Sequence, residues 1–244
     1  MKYVSAFLLP VLLYSLTYIA PPGKKGKVEI GEFDHFWFAL QWPPSLCEGK
    51  RDSCKDVKPN FTIHGLWPTD VQGNTLKKRV LPVADCLSFH FDDDMSPLVE
   101  DLNKYWPSFL IANTNKCFWK HEWDKHGSTI SKWIENGHTP EDYFKKAVKL
   151  IENRSTKIST ALEPDNSYPV SEFIEAMTKI TGKEIMLQCT ENKLIDNMKA
   201  LIEVRLCVNS DATEFINCSG EKEKPETEKS CGQGTIEIRF PGVS

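Results

Sequence analysis

The chain has 244 residues, 40% of them apolar and 26% charged. Those proportions suit a globular protein with a sizeable core and exclude wholesale disorder. Lys and Arg total 30 against 34 Asp and Glu, for a formal charge of −4 and a pI near 5.9, which argues against a protein that coats nucleic acid through a broad basic surface.

Behind Met1 and Lys2 runs an uncharged stretch from Tyr3 to Gly23, with an apolar centre at Ala6–Leu13 and small residues at Ser15, Thr17 and Ala20. This reads as a secretory signal over residues 1–22, with an approximate cut, leaving 23–244 as one domain with no membrane segment. Pro10 and the polar Ser15 and Thr17 weaken the rival reading as a membrane anchor.

Phe33–Trp42 is aromatic and roughly alternating and reads as a strand stopped by Pro43-Pro44; Phe61–Leu66 reads as a second, shorter strand. A helix is expected over Pro97–Trp106, with Ser96 as N-cap and Pro107 just beyond. Phe118–Lys125 reads as a helix closed by Gly127, and Pro140–Asn153 and Val170–Thr181 have helical apolar spacing, the latter stopped by Gly182. Leu201–Val208 and Thr235–Phe240 read as strands, and Glu221–Lys229, charged and Pro-containing, as a loop. No repeat or linker divides the chain, so the class is α+β in one domain.

Secretion makes the eight cysteines disulfide partners, and none stands in a CxxC pair that would suggest a zinc ribbon. Their pairings number on the order of 100 and spacing alone does not choose among them, although the short loop favours Cys47–Cys54. Asn60, Asn153 and Asn217 open glycosylation sequons.

The chain has six His. His64 ends an apolar strand in Phe61-Thr62-Ile63-His64-Gly65-Leu66-Trp67-Pro68, and the run Trp119–Gly127 packs His121, Glu122, Lys125 and His126 together. On a helix, His121 and Lys125 share one face and Glu122 and His126 the adjoining one. The spacing His-Glu-x-x-x-His is one residue longer than the zinc-protease motif and turns the second imidazole about 140° from the first, so no metal site is expected. Two separate imidazoles suit a reaction that removes one proton and supplies another at mild pH. A nearby cation and carboxylate suit charge developing on an oxyanion. RNA transesterification needs that set: one His deprotonates the 2′-hydroxyl, the other protonates the departing 5′-oxygen, and no cofactor takes part.

The segments FTIHGLWP (61–68) and KHEWDKHGS (120–128) resemble the two active-site signatures of the acid ribonuclease, or ribonuclease T-two, family. The likeness extends from FALQWP (38–43) through Trp106-Pro107-Ser108 to the Cys-bearing C-terminal half, and is nearest to the plant branch of self-incompatibility and S-like ribonucleases. It implies an α+β fold with a central, mainly antiparallel sheet flanked by helices and stapled by disulfides. It also implies His126 as general base, His64 as general acid, Glu122 and Lys125 as transition-state stabilisers, and His121 as a phosphate holder. Trp67 would stack a base, and Gln41 and Phe118 would contribute to a second base site. The implied pairings include Cys189–Cys231 and Cys207–Cys218. Relatives usually carry Cys where this chain has Thr129, paired with the equivalent of Cys86; the upstream Cys117 is therefore expected to take Cys86 instead.

The implied activity is a secreted, metal-independent endoribonuclease on single-stranded RNA, extracellular or held in a vacuole or other endomembrane compartment. The acidic pI favours an S-like scavenging or defence role over a self-incompatibility role with a pollen-side protein partner, while the Phe-Thr-Ile-His form of the first signature leans the other way. The alternative from another class is a non-catalytic secreted glycoprotein of the same fold, for storage or partner binding. Asp92-Asp93-Asp94 reads as a solvated lead-in to the following helix, Lys77-Lys78-Arg79 as a solvated loop or an RNA-steering one, and His35, His90 and His138 carry no assigned role.

Overall fold

β1 (Phe33–Gln41) is buried along nearly its whole length because it runs between two neighbours, β2 (Thr62–Asp70) and β5 (Leu201–Val208), in a computed structural model of the chain. The structure describes residues 33–78, 96–130, 139–190, 198–218 and 226–243. The signal segment, Arg79, Cys86, His90, Asp92–Asp94 and His138 lie outside them. The sheet order is β2-β1-β5-β4, with β4 at Ile185–Cys189, and the short β6 (Phe215–Ile216) also pairs with β5; every pairing is antiparallel. A separate two-stranded sheet joins β3 (Asn166–Pro169) to β7 (Glu237–Phe240). The protein is thus α+β with an antiparallel sheet and flanking helices.

The two-residue period of the strands separates two faces. Phe36, Phe38 and Leu40 of β1 join Ile63 and Leu66 of β2 and Val204 and Leu206 of β5 in the main core. Besides the short α1 (Pro43–Cys47) and α5 (Ser155–Ser159), α2 (Ser96–Tyr105), α4 (Pro140–Ile151) and α6 (Val170–Thr181) pack against them through Leu102, Phe144, Ala147, Phe173 and Met177. The Leu, Phe and Met side chains among these, fully buried, contribute roughly 1.5–3 kcal/mol each. The opposite face holds a smaller cluster of Trp37, Ala39, Trp67, Met186 and Cys207. Glu203 and Arg205 share it by parity, in register with Gln41 and Ala39.

β2 runs four residues past its expected end at Leu66, through Pro68. As an edge strand it has one side free of the ladder, where a residue without an N–H is tolerated. The expected loop at Glu221–Lys229 is corrected in its second half: Glu226–Cys231 forms α7. Thr227 and Cys231 are buried there, the Thr227 and Ser230 hydroxyls accept from the Leu187 and Cys189 N–H groups of β4, and Cys231 is bonded to Cys189. Tertiary anchoring therefore makes a helix of residues too polar to announce one. Gly182 ends α6 at φ 72°, the left-handed conformation that glycine adopts without steric cost.

Cys47 pairs with Cys54, Cys189 with Cys231 and Cys207 with Cys218. Cys117 is also disulfide-bonded, while its expected partner Cys86 is outside the described residues. Among the described residues no helix is long and apolar enough to cross a membrane.

Candidate active site

His64 sits at an irregularity in β2. The register steps from Ala39↔Gly65 to Leu40↔Ile63, so His64 faces no partner on β1. A bulge of this kind bends the strand and re-aims one side chain. The backbone groups it frees are satisfied from outside the sheet: the Trp106 indole N–H donates to the His64 carbonyl at 3.0 Å. Tyr143 does the same two residues on, its hydroxyl donating to Leu66 O (2.9 Å) and accepting from Leu66 N (3.3 Å). Tryptophan and tyrosine thus do for the edge what a further strand would do.

The second signature lies on α3 (Asn115–Lys125), which begins three residues before its expected start because the Thr114 side chain caps it, accepting from Cys117 N. Glu122 is buried, and His121 and Lys125 lie half-buried. His126 is the C-cap residue, beyond the helical turn, and is also buried. The segment after β2 pins this end of α3: Lys78 N donates to Lys125 O (2.8 Å), and the Lys78 ammonium bonds the Ser128 carbonyl and hydroxyl (both 2.9 Å). Lys78, read from sequence as part of a solvated or RNA-steering loop, is thus exposed but engaged in a structural contact.

Trp67 is the hub. Its indole N–H donates to Glu122 Oε2 at 2.9 Å, and its ring stacks on His126 at 5.3 Å and meets the edge of His64 at 5.0 Å. The two imidazoles therefore flank one indole. Gly65 is required beneath it, since a Cβ there would stand 2.0 Å from Trp67 Nε1 and 2.4 Å from Glu122 Oε2. Only 8% of Trp67 is exposed, so in this packing its ring is mainly a wall between the two imidazoles. Phe118 is half-buried with its ring 6.0 Å from that of His64, and the Gln41 amide donates to Thr62 Oγ1 (3.3 Å) and Ile63 O (3.4 Å).

The electrostatics separate the two imidazoles. His126 is pushed down to about 3 by burial and by the Lys125 charge, against the opposing bond to Leu76 O. Its Nδ1 lies 3.4 Å from that carbonyl, which only accepts, so Nδ1 carries hydrogen and Nε2 keeps its lone pair. Burial acts to lower His64 as well. There the Glu203 hydrogen bond and charge, with Glu122, outweigh it and hold the imidazole above its ordinary range. His121 is lowered by burial, Lys125 and His64, whereas Glu122 is raised by burial against the pull of His64, Trp67 and Lys125. One imidazole is set to accept a proton and the other to give one.

Sequence reasoning missed Glu203 and Arg205. His64 Nδ1 lies 2.5 Å from Glu203 Oε2, and Arg205 Nε donates to Glu203 Oε1 at 2.5 Å. A signal was present: two opposite charges at alternate positions of an apolar strand have to pair if that face is buried. His35 is buried and bonded to Asp34 on β1. Among the described residues no group of three or more His, Cys, Asp or Glu is placed to hold a metal ion. A groove lined by Thr62, Trp119, Lys55, Lys58, Lys104 and Lys116 also includes Asn60, the first sequon asparagine.

Two imidazoles shifted in opposite directions, a buried carboxylate and a lysine around one tryptophan make up an acid–base site of the kind that cleaves phosphodiesters. Residues 33–218 match the model of the ribonuclease T2 family. The chain is 27% identical to ribonuclease T2 of Homo sapiens over 218 residues, covering 84% of this chain and 80% of that protein. It is 32% identical to ribonuclease S-7 of Nicotiana alata over 221 residues, covering 86% and 90%. Ribonuclease MC1 from bitter gourd seeds superposes with a TM-score of 0.63 at 29% identity, over 85% of this chain and all of that one. The chain belongs to the ribonuclease T2 family and is an acid-type endoribonuclease.

Proposed function

We propose that the protein is a secreted, metal-independent endoribonuclease that cleaves single-stranded RNA by transesterification to 2′,3′-cyclic phosphate ends. The carrying observation is the placing of two imidazoles on either side of Trp67, one held by the Glu203 carboxylate and the other by the Leu76 carbonyl, in surroundings that shift them in opposite directions. Neutral His126 takes the proton of the 2′-hydroxyl on Nε2, and the freed oxygen attacks the adjacent phosphorus in line. The P–O5′ bond breaks as the protonated His64 gives the Nε2 proton to the departing oxygen. Lys125 neutralises charge building on the phosphoryl oxygens, and His121 at the rim holds the phosphate. Glu122, raised by burial and held by Trp67, hydrogen-bonds the phosphorane.

Phe118 and Gln41 form the second base site, Phe118 offering a half-buried ring beside His64. Base stacking on Trp67 rests on the likeness of the first signature and requires its ring, 8% exposed in this packing, to be uncovered on one face. The lysines of the neighbouring groove supply local positive charge on a chain that is acidic overall. The Met1–Gly23 run supports removal of residues 1–22 on export, and the acidic pI supports an S-like scavenging or defence role over recognition of a pollen-side protein.

The test is cleavage of a dinucleoside monophosphate in excess EDTA with the products identified by mass. A 2′,3′-cyclic phosphate product, lost in His64→Ala and His126→Ala, is expected. A requirement for divalent metal, or linear products from the first turnover, would refute the mechanism.

A further inference from the structure

We propose that Glu203, clamped by Arg205, is the positioning residue of His64, fixing which ring nitrogen carries the transferable proton. The inference rests on His64 being the general acid. β1 separates β2 from β5, so His64 and Glu203 lie on strands that do not pair. Their contact crosses β1 at Ala39, a fully buried residue in register with Gly65 on one side and Arg205 on the other. An alanine leaves room there for an imidazole and a carboxylate to meet.

Both Glu203 oxygens are engaged, Oε2 with His64 Nδ1 and Oε1 with Arg205 Nε, each at 2.5 Å. Arg205 is held in turn by Glu226 of α7 (3.2 Å) and lies 5.2 Å and 5.3 Å over the rings of Trp37 and Trp67. A carboxylate fixed at both oxygens cannot swivel, and its burial is compensated by two cationic partners. A carboxylate only accepts, so Nδ1 keeps its hydrogen throughout. The transferable proton is therefore on Nε2, and after donation the ring is neutral in the same tautomer, with no rearrangement needed. The other charged or titrating groups that act on His64 are Glu122 and His121 of α3 and His126 at its C-cap; Glu226 acts through Arg205.

The experiment compares wild type with Glu203→Gln, which keeps volume and an acceptor but removes the charge, and with Glu203→Asp. Read-outs are the pH profile of kcat/KM on a dinucleotide and an NMR titration of the His64 imidazole without RNA. In Glu203→Gln the alkaline limb and the His64 titration should both move to lower pH, by about 1 unit or more. Above neutrality kcat should fall about tenfold or more with KM little changed, and Glu203→Asp should restore part of the displacement. A uniform loss at all pH values with the limb unmoved would make Glu203 merely structural and overturn the inference. So would a His64 titration the same in both proteins. If the wild type proves inactive, the catalytic reading fails, and the titration still tests the pairing on its own.

Discussion

The Trp67 indole N–H reaches Glu122 Oε2 at 2.9 Å directly over Gly65, so a glycine on one signature is the floor on which the two signatures meet. Gly65→Ala places a methyl inside that hydrogen bond. We expect a loss of roughly 10²-fold or more in kcat/KM and a destabilisation of about 1–3 kcal/mol. Steady-state kinetics and urea melts check both. Wild-type kinetics would show that the close approach is unimportant.

Tyr143 holds the outer edge of β2 through both polar groups of Leu66, and burial keeps its phenol protonated well above the usual range. Tyr143→Phe leaves the Leu66 N–H and C=O without this partner and should cost about 1–3 kcal/mol. The pH limbs should stay in place, because the hydroxyl acts on the strand and not on the proton transfers.

Acid stability should report His126. A histidine whose folded pKa lies at about 3, below its unfolded value, stabilises the fold above the unfolded pKa. That contribution is lost as pH falls from about 6.5 towards 3. For a buried group the loss is on the order of a few kcal/mol. Melting temperatures over that window should fall more steeply in wild type than in His126→Phe. Equal slopes would place the acid sensitivity elsewhere.

His64 has the opposite sign. Its folded pKa is raised, so its ion pair stabilises fully below the unfolded value and the gain is lost as pH rises through the folded one. Stability should therefore decline in wild type as pH rises from about 6.5 through the raised folded value, and less so in Glu203→Gln. A decline of the same size in both proteins would contradict the pairing.

What was legible in the sequence is what local pattern encodes. β1 declared itself through the alternation of Phe36, Phe38 and Leu40, α6 through its apolar spacing and Gly182 stop, and the two signatures through their density of His, Trp and Gly. The bulge at His64 was not legible, since it depends on a register against β1 and on Trp106 arriving from a distant segment to take the carbonyl. α7 was hidden for the same reason: its helix is secured by β4 and by Cys189, 42 residues away. The contact of Glu203 with His64 spans 139 positions and an intervening strand, so only the fold reveals it.

The most direct test of the whole reading is the pH dependence of kcat/KM on a dinucleotide in EDTA, measured for wild type, His64→Ala and His126→Ala. We predict a bell whose acid limb disappears with His126 and whose alkaline limb disappears with His64, each variant losing roughly 10²–10⁴-fold at the optimum. A wild-type profile with no acid limb below mildly acidic pH and no alkaline limb above about 6.5, or a bell that survives either substitution, would contradict a two-imidazole site.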